Sequence, residues 1–179
     1  MTNQRNVYGN DNYDLDNEDR YTEETDPFAQ SGLGQSQQEI QPAEEATIIS
    51  ADTVITGTIT SDCNLVVHGT VKGDISTTAN MQIFGNVDGN VTASSLLVDG
   101  GKITATKVLI DEQITVINDA EITADVKGNN ISLNATIYGN IVADSNLDIH
   151  GASLIEGNVE TNGISVALGA KIKGNVNIL

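Results

Sequence analysis

From residue 57 onward the apolar residues fall into a recurring seven-position phrase: small, any, apolar, any, small, Asn or Asp, apolar. It occupies residues 57–63, 69–75, 85–91, 101–107, 120–126, 135–141, 153–159 and 170–176, the first copy, "GTITSDC", being degraded. Start-to-start spacings are 12, 16, 16, 19, 15, 18 and 17, a period near seventeen. Self-similarity at such a period is the mark of a solenoid, in which each repeat buries its apolar face only against its neighbours. Position three is β-branched in every copy: Ile59, Val71, Val87, Ile103, Ile122, Ile137, Ile155 and Ile172. Position five is always small, and position six is Asn or Asp except at Thr106. Small followed by Asx is corner chemistry, because these residues tolerate left-handed backbone and Asx side chains hydrogen-bond nearby main chain. Position seven is apolar except at Lys107, where Val108 is expected to slip into place.

Upstream of most copies stands an alternating apolar pair: Leu65/Val67, Met81/Ile83, Leu96/Val98, Ile131/Leu133 and Val166/Leu168. Alternation rich in β-branched residues predicts strand, and no helical period is sustained. Asn64, Asn80, Asn130 and Asn146 precede their pairs and predict a second polar corner. The expected architecture is an all-β solenoid, a parallel β-helix of about eight windings over residues 47–179. At a rise of roughly 4.8 Å per winding it would stand on the order of 40 Å tall. Inward Val, Ile and Leu would stack in columns, each contributing about 1.5–3 kcal/mol on burial. Asn and Asp would form ladders at the corners.

Composition divides the 179 residues in two. Residues 1–46 hold both prolines, both arginines and eleven acids, a net charge of −9. Residues 47–179 carry fourteen acids and six lysines, a net of −8. Low hydrophobicity with high charge cannot offset ordering entropy, so residues 1–46 are expected to be a disordered acidic tail. A net charge of −17 argues against nucleic acid and anionic membrane as direct partners. The N-terminal stretch has no apolar core of a signal peptide and nothing reaches transmembrane length, so a cytoplasmic protein is expected, meeting membranes only through partners.

Candidate chemistry is sparse. His68 and His150, the two histidines, alternate outward and stand five windings apart, too far to share a metal. Cys63, the single cysteine, excludes a disulfide framework and is expected to fill inward position seven as a small hydrophobe. Asp62, Asp74, Asp88 and Asp125 fall mostly where Asn substitutes among the copies, which fits turn formation better than proton transfer. "GTVKGDI" opens no helix and lacks the Lys-Ser/Thr ending of a phosphate loop. No catalytic, cofactor or metal site is legible.

The cadence of "HGTVKGDI", "FGNVDGNV" and "YGNIVADSNLDIHG" resembles the bactofilin family of polymer-forming bacterial cytoskeletal proteins. The resemblance runs from about Ala46 to Leu179. It implies a right-handed parallel β-helix that polymerises end to end into non-polar filaments without nucleotide, scaffolding cell-shape, envelope or chromosome-organising partners. Two departures stand out: the membrane-targeting stretch of some relatives is not found, and the chain stops three residues past its last copy. Two other readings compete. A left-handed β-helix acyltransferase would need hexapeptide triplets at a strict period of eighteen, against the drift from 15 to 19. An ice-binding solenoid would need aligned threonines, and Thr58, Thr60, Thr104 and Thr106 do not recur in neighbouring copies.

Uncapped solenoid ends expose apolar side chains and strand edges that template association. "KIKGNVNIL" offers no cap. The expected self-interface is therefore Ile48, Ile49, Val54 and Ile55 at one end and Val176, Ile178 and Leu179 at the other, with the tail available to protein partners.

Overall fold

A computed structural model describes residues 45–179, and every regular element among them is a β-strand. The expectation of a disordered tail falls outside the described residues, except that Ala46 already belongs to the first strand, Ala46–Ile49. Nineteen strands form one sheet in which all pairings are parallel, each strand bonding to its equivalent one winding on. Eight windings result, each with three faces. The first face holds Ala46–Ile49, Asn64–Val67, Asn80–Ile83, Ser95–Asp99 and Gln113–Ile117 and continues through residues 130–133, 146–149 and 163–166. Later strands run on round corners, Glu121–Leu133 covering three faces in one extended stretch.

The register converts the repeat into columns. On the second face Ile55, Val71, Val87, Ile103, Ile122, Ile137, Ile155 and Ile172 stand one above another. On the third face the column is Ile59, Ile75, Val91, Val108, Val126, Ile141, Val159 and Val176. The first face contributes two columns, one ending Leu147, Ile164 and the other running from Ile49 through Val67 to Val166. Between the ends these side chains are buried, so one apolar core runs the height of the solenoid.

Three expectations are corrected. Ile59 stands in the column of position seven, not three, so the first copy is out of phase by four residues; Ile55 and Gly57 take the third and fifth positions. Cys63 therefore does not fill position seven. It lies half-buried at a corner, with Sγ 3.2 Å from the Ser61 hydroxyl and 3.4 Å from that of Thr47. The last first-face pair is Ile164/Val166 rather than Val166/Leu168, and Leu168 is fully exposed. One pair escaped the pattern, Ile114/Val116, while Leu147/Ile149 is the pair that Asn146 precedes. At Lys107 the expectation holds: a bulge between Thr104 and Lys107 brings Val108 into register with Val126.

The corners show why the polar positions repeat. Gly73 has φ +143°, and a Cβ there would lie 2.2 Å from the Gly57 carbonyl oxygen of the winding before. The conformation is not the left-handed helical one expected for Asx but the more extended positive-φ region open to glycine. The Asx residue that follows bonds from winding to winding. Asp74 Oδ1 accepts the Asn90 main-chain N–H (2.8 Å) and side-chain amide (3.0 Å), and Asn90 Oδ1 accepts the Lys107 N–H (2.9 Å). The same ladder continues through Asp125, Asn140, Asn158 and Asn175.

Candidate assembly interface

Inside the solenoid each winding covers the apolar residues of the one below, and at the last winding that cover stops. Val166 is 50% exposed, Val176 43% and Ile178 58%, although all three sit on inward columns. Leu179 is also exposed, with its N–H bonded to the Thr161 carbonyl at 3.0 Å. Three column ends and Leu179 are thus exposed together on the last winding.

The other end is more closed. Ile49 occupies the column of Val166 yet is 5% exposed, and Ile55 and Ile59 are half-buried. Ile48 and Val54 are exposed, but their registers with Val66 and Thr70 place them on outward positions of the first and second faces. Of the seven residues expected at the interface, Ile49, Ile55, Val176 and Ile178 are column residues, and Leu179 lies beyond them. Ile59, Ile164, Val166 and Ile172 also end inward columns and were not among the seven. The signal that finds Ile59, Ile164 and Val166 is the column register, which the phase error and the misplaced last pair obscured; Ile172 already stands at position three of the last copy.

Other chemistry is dispersed. His68 is exposed and stacked on Phe84, ring centroids 4.7 Å apart at 13°. His150 is exposed, with Nε2 3.2 Å from the Ser132 hydroxyl. Hydrogen bonds from Ser61 and then Thr47 hold the Cys63 thiol below its ordinary pKa. Asp62 lies at the corner beside it, and Asp88 is outward on the second face beside Thr104 and Lys72. Among the described residues no group of three or more His, Cys, Asp or Glu gathers as a metal site, and no helix is long and apolar enough to cross a membrane.

The family model of Bactofilin, described as polymer-forming cytoskeletal, matches residues 47–112 and again 101–177. The chain belongs to the bactofilin family. The bactofilin match covers nearly all of the solenoid, and its double placement is natural for a molecule built from one repeated unit. Bactofilin BacO of Myxococcus xanthus (strain DK1622) is 28% identical over 132 residues, which are 74% of this chain and 79% of the relative. No solved structure gives a significant match. This bactofilin is thus a β-solenoid of a cytoskeletal, polymer-forming family.

Proposed function

We propose that this chain is a scaffold subunit that polymerises end to end through both end windings, without nucleotide, into non-polar filaments. The observation that carries this is the set of inward columns emerging uncovered at the last winding, at Val166, Val176 and Ile178. A second copy placed there buries what the next winding would have buried. It also pairs the open strand edges, which otherwise remain a template for association. Columns and ladders need only a like surface, so no phosphate-binding loop or hydrolysis step is required. The reading extends to protein partners for cell shape, envelope or chromosome organisation, recruited through residues 1–46, in the cytoplasm. Membrane contact then comes through those partners.

The test is electron microscopy and sedimentation of the purified full chain without nucleotide. Filaments of solenoid width that sediment at moderate salt are the expected result. A protein that stays monomeric at high concentration in such buffers overturns the proposal and leaves a binding solenoid.

A further inference from the structure

The outward side of the first face differs in charge from the rest of the molecule. It presents three outward positions in each winding: the residue that opens the strand, its centre, and the one that leaves it. Over eight windings two of these are charged, Asp99 and Asp148, and at the edge of the face the Glu112 carboxylate accepts a hydrogen bond from the Ser95 hydroxyl at 3.2 Å. Five are large and apolar and fall in the first five windings: Ile48, Val66, Phe84, Leu97 and Ile117. Beside Leu97, in the third to fifth windings, lies a shallow groove of about 280 Å³ whose other outward residues are uncharged: Asn80, Gln82, Ser95, Gln113 and Thr115. On the second face ion pairs join Lys102 to Glu121 at 2.8 Å and Lys173 to Glu156. The third face carries Lys127 paired with Asp144 at 3.7 Å, with Asp74 and Asp125 along its edge.

We propose that the first face is the surface through which two filaments pair side by side, each copy meeting the same face of a second copy. This rests on the end-to-end polymerisation proposed above. Two chains of net charge −17 repel through any charged surface, and here they approach with few charges to oppose or desolvate. Two such β-faces pack about 10 Å apart with side chains interdigitating. A two-fold axis between Gln82 and Leu97 makes the contact self-complementary. The stripe spans five windings, on the order of 400 Å² per copy, below the roughly 800 Å² per partner of a stable complex. Single subunits therefore do not pair, whereas in a filament the contact repeats at every subunit and adds up. Pairing follows polymerisation and strengthens with salt as the overall repulsion is screened.

The full chain with Val66→Lys and Leu97→Lys, both outward, tests this beside wild type by differential centrifugation and electron microscopy. Expected is wild type as paired or bundled filaments pelleting at low speed. The double variant should form single filaments that still pellet at high speed, its low-speed fraction lower by about tenfold. Gln82→Cys in a Cys63→Ser background should give disulfide-linked dimers on mild oxidation, and Thr92→Cys on the third face should not. Bundling unchanged by the two lysines, or linkage at Thr92→Cys instead, overturns the proposal. So do wild-type filaments that stay single with no linkage at Gln82→Cys, which would leave the stripe for another class of partner. If no filament forms, the end-to-end reading fails and the pairing that rests on it fails with it, whereas filaments that form but stay single overturn the pairing alone.

Discussion

Glycine at the fifth position of the repeat is required twice over. Gly139 has φ +147°, and a Cβ there would lie 2.0 Å from the Ala124 carbonyl oxygen in the winding before. Backbone cannot swing aside as a side chain can, so Gly139→Ala should destabilise the solenoid by more than about 3 kcal/mol, read from denaturant unfolding. Where the column holds Ala105 and Ala124 instead, no positive φ occurs and the strands Lys102–Ile110 and Glu121–Leu133 carry the chain round the corner, with a bulge after Thr104. The apolar positions are as unforgiving for a different reason. Val87 and Ile137 are buried, so Val87→Asp or Ile137→Asp places an unpaired carboxylate in the core and should cost at least about 4 kcal/mol. His68→Ala forfeits an exposed stack on Phe84 and should stay within about 1 kcal/mol of wild type, as should His150→Ala. Loss of the fold in the histidine variants with tolerance at Val87 would reverse the inward and outward assignments.

The winding is the element of this fold, and its polar ladder is testable alone. Asn140 donates its side-chain amide to Asp125 (2.9 Å) and accepts the Asn158 N–H (3.1 Å). Both bonds are exposed, so Asn140→Ala should cost about 1 kcal/mol in thermal or denaturant unfolding. Asn140→Asp keeps the acceptor but sets a second carboxylate against Asp125. Its stability should fall below wild type and recover as salt is added. A variant indifferent to salt would mean the ladder holds no close charge. At this scale the sequence was readable from Val71 to Ile172, because strand alternation and corner residues both repeat there. It was misread at the first winding for a structural reason. Small residues stand at positions one and five and apolar ones at three and seven, each pair four apart, so a slip of four residues reproduces much of the phrase. Ile55 and Ile59 were shifted onto Ile59 and Cys63, and the short spacing of 12 was the trace of that slip. The pair Ile114/Val116 was hidden differently: the bulge after Thr104 and the corner at Asn118 and Asp119, both at φ 56°, each lengthen that winding, which reaches 19 residues.

In the whole molecule, assembly should reside in the windings rather than the acidic segment before them. Deleting residues 1–44 should leave circular dichroism and high-speed sedimentation unchanged; loss of either would make that segment part of the fold or the junction. The junction itself is addressed by comparing Ile178→Arg with Val54→Arg. Ile178 ends an inward column and is more than half exposed, so arginine there spares the fold but must be desolvated when a second copy stacks. Val54 is equally open but outward on the second face, and Val54→Arg should leave polymer intact. The product of Ile178→Arg also reports polarity. Charge favours unlike ends, since the last winding carries Lys171 and Lys173 without an acid and the first carries Asp52 and Asp62 without a base. Those lysines are outward, however, and Lys173 is already bonded to Glu156. The uncovered columns therefore decide, and like ends should meet. Sedimentation of Ile178→Arg is expected to show dimers joined through their first windings. Monomers alone would mean that each junction needs one end of each kind, making the filament polar and overturning the symmetric junction.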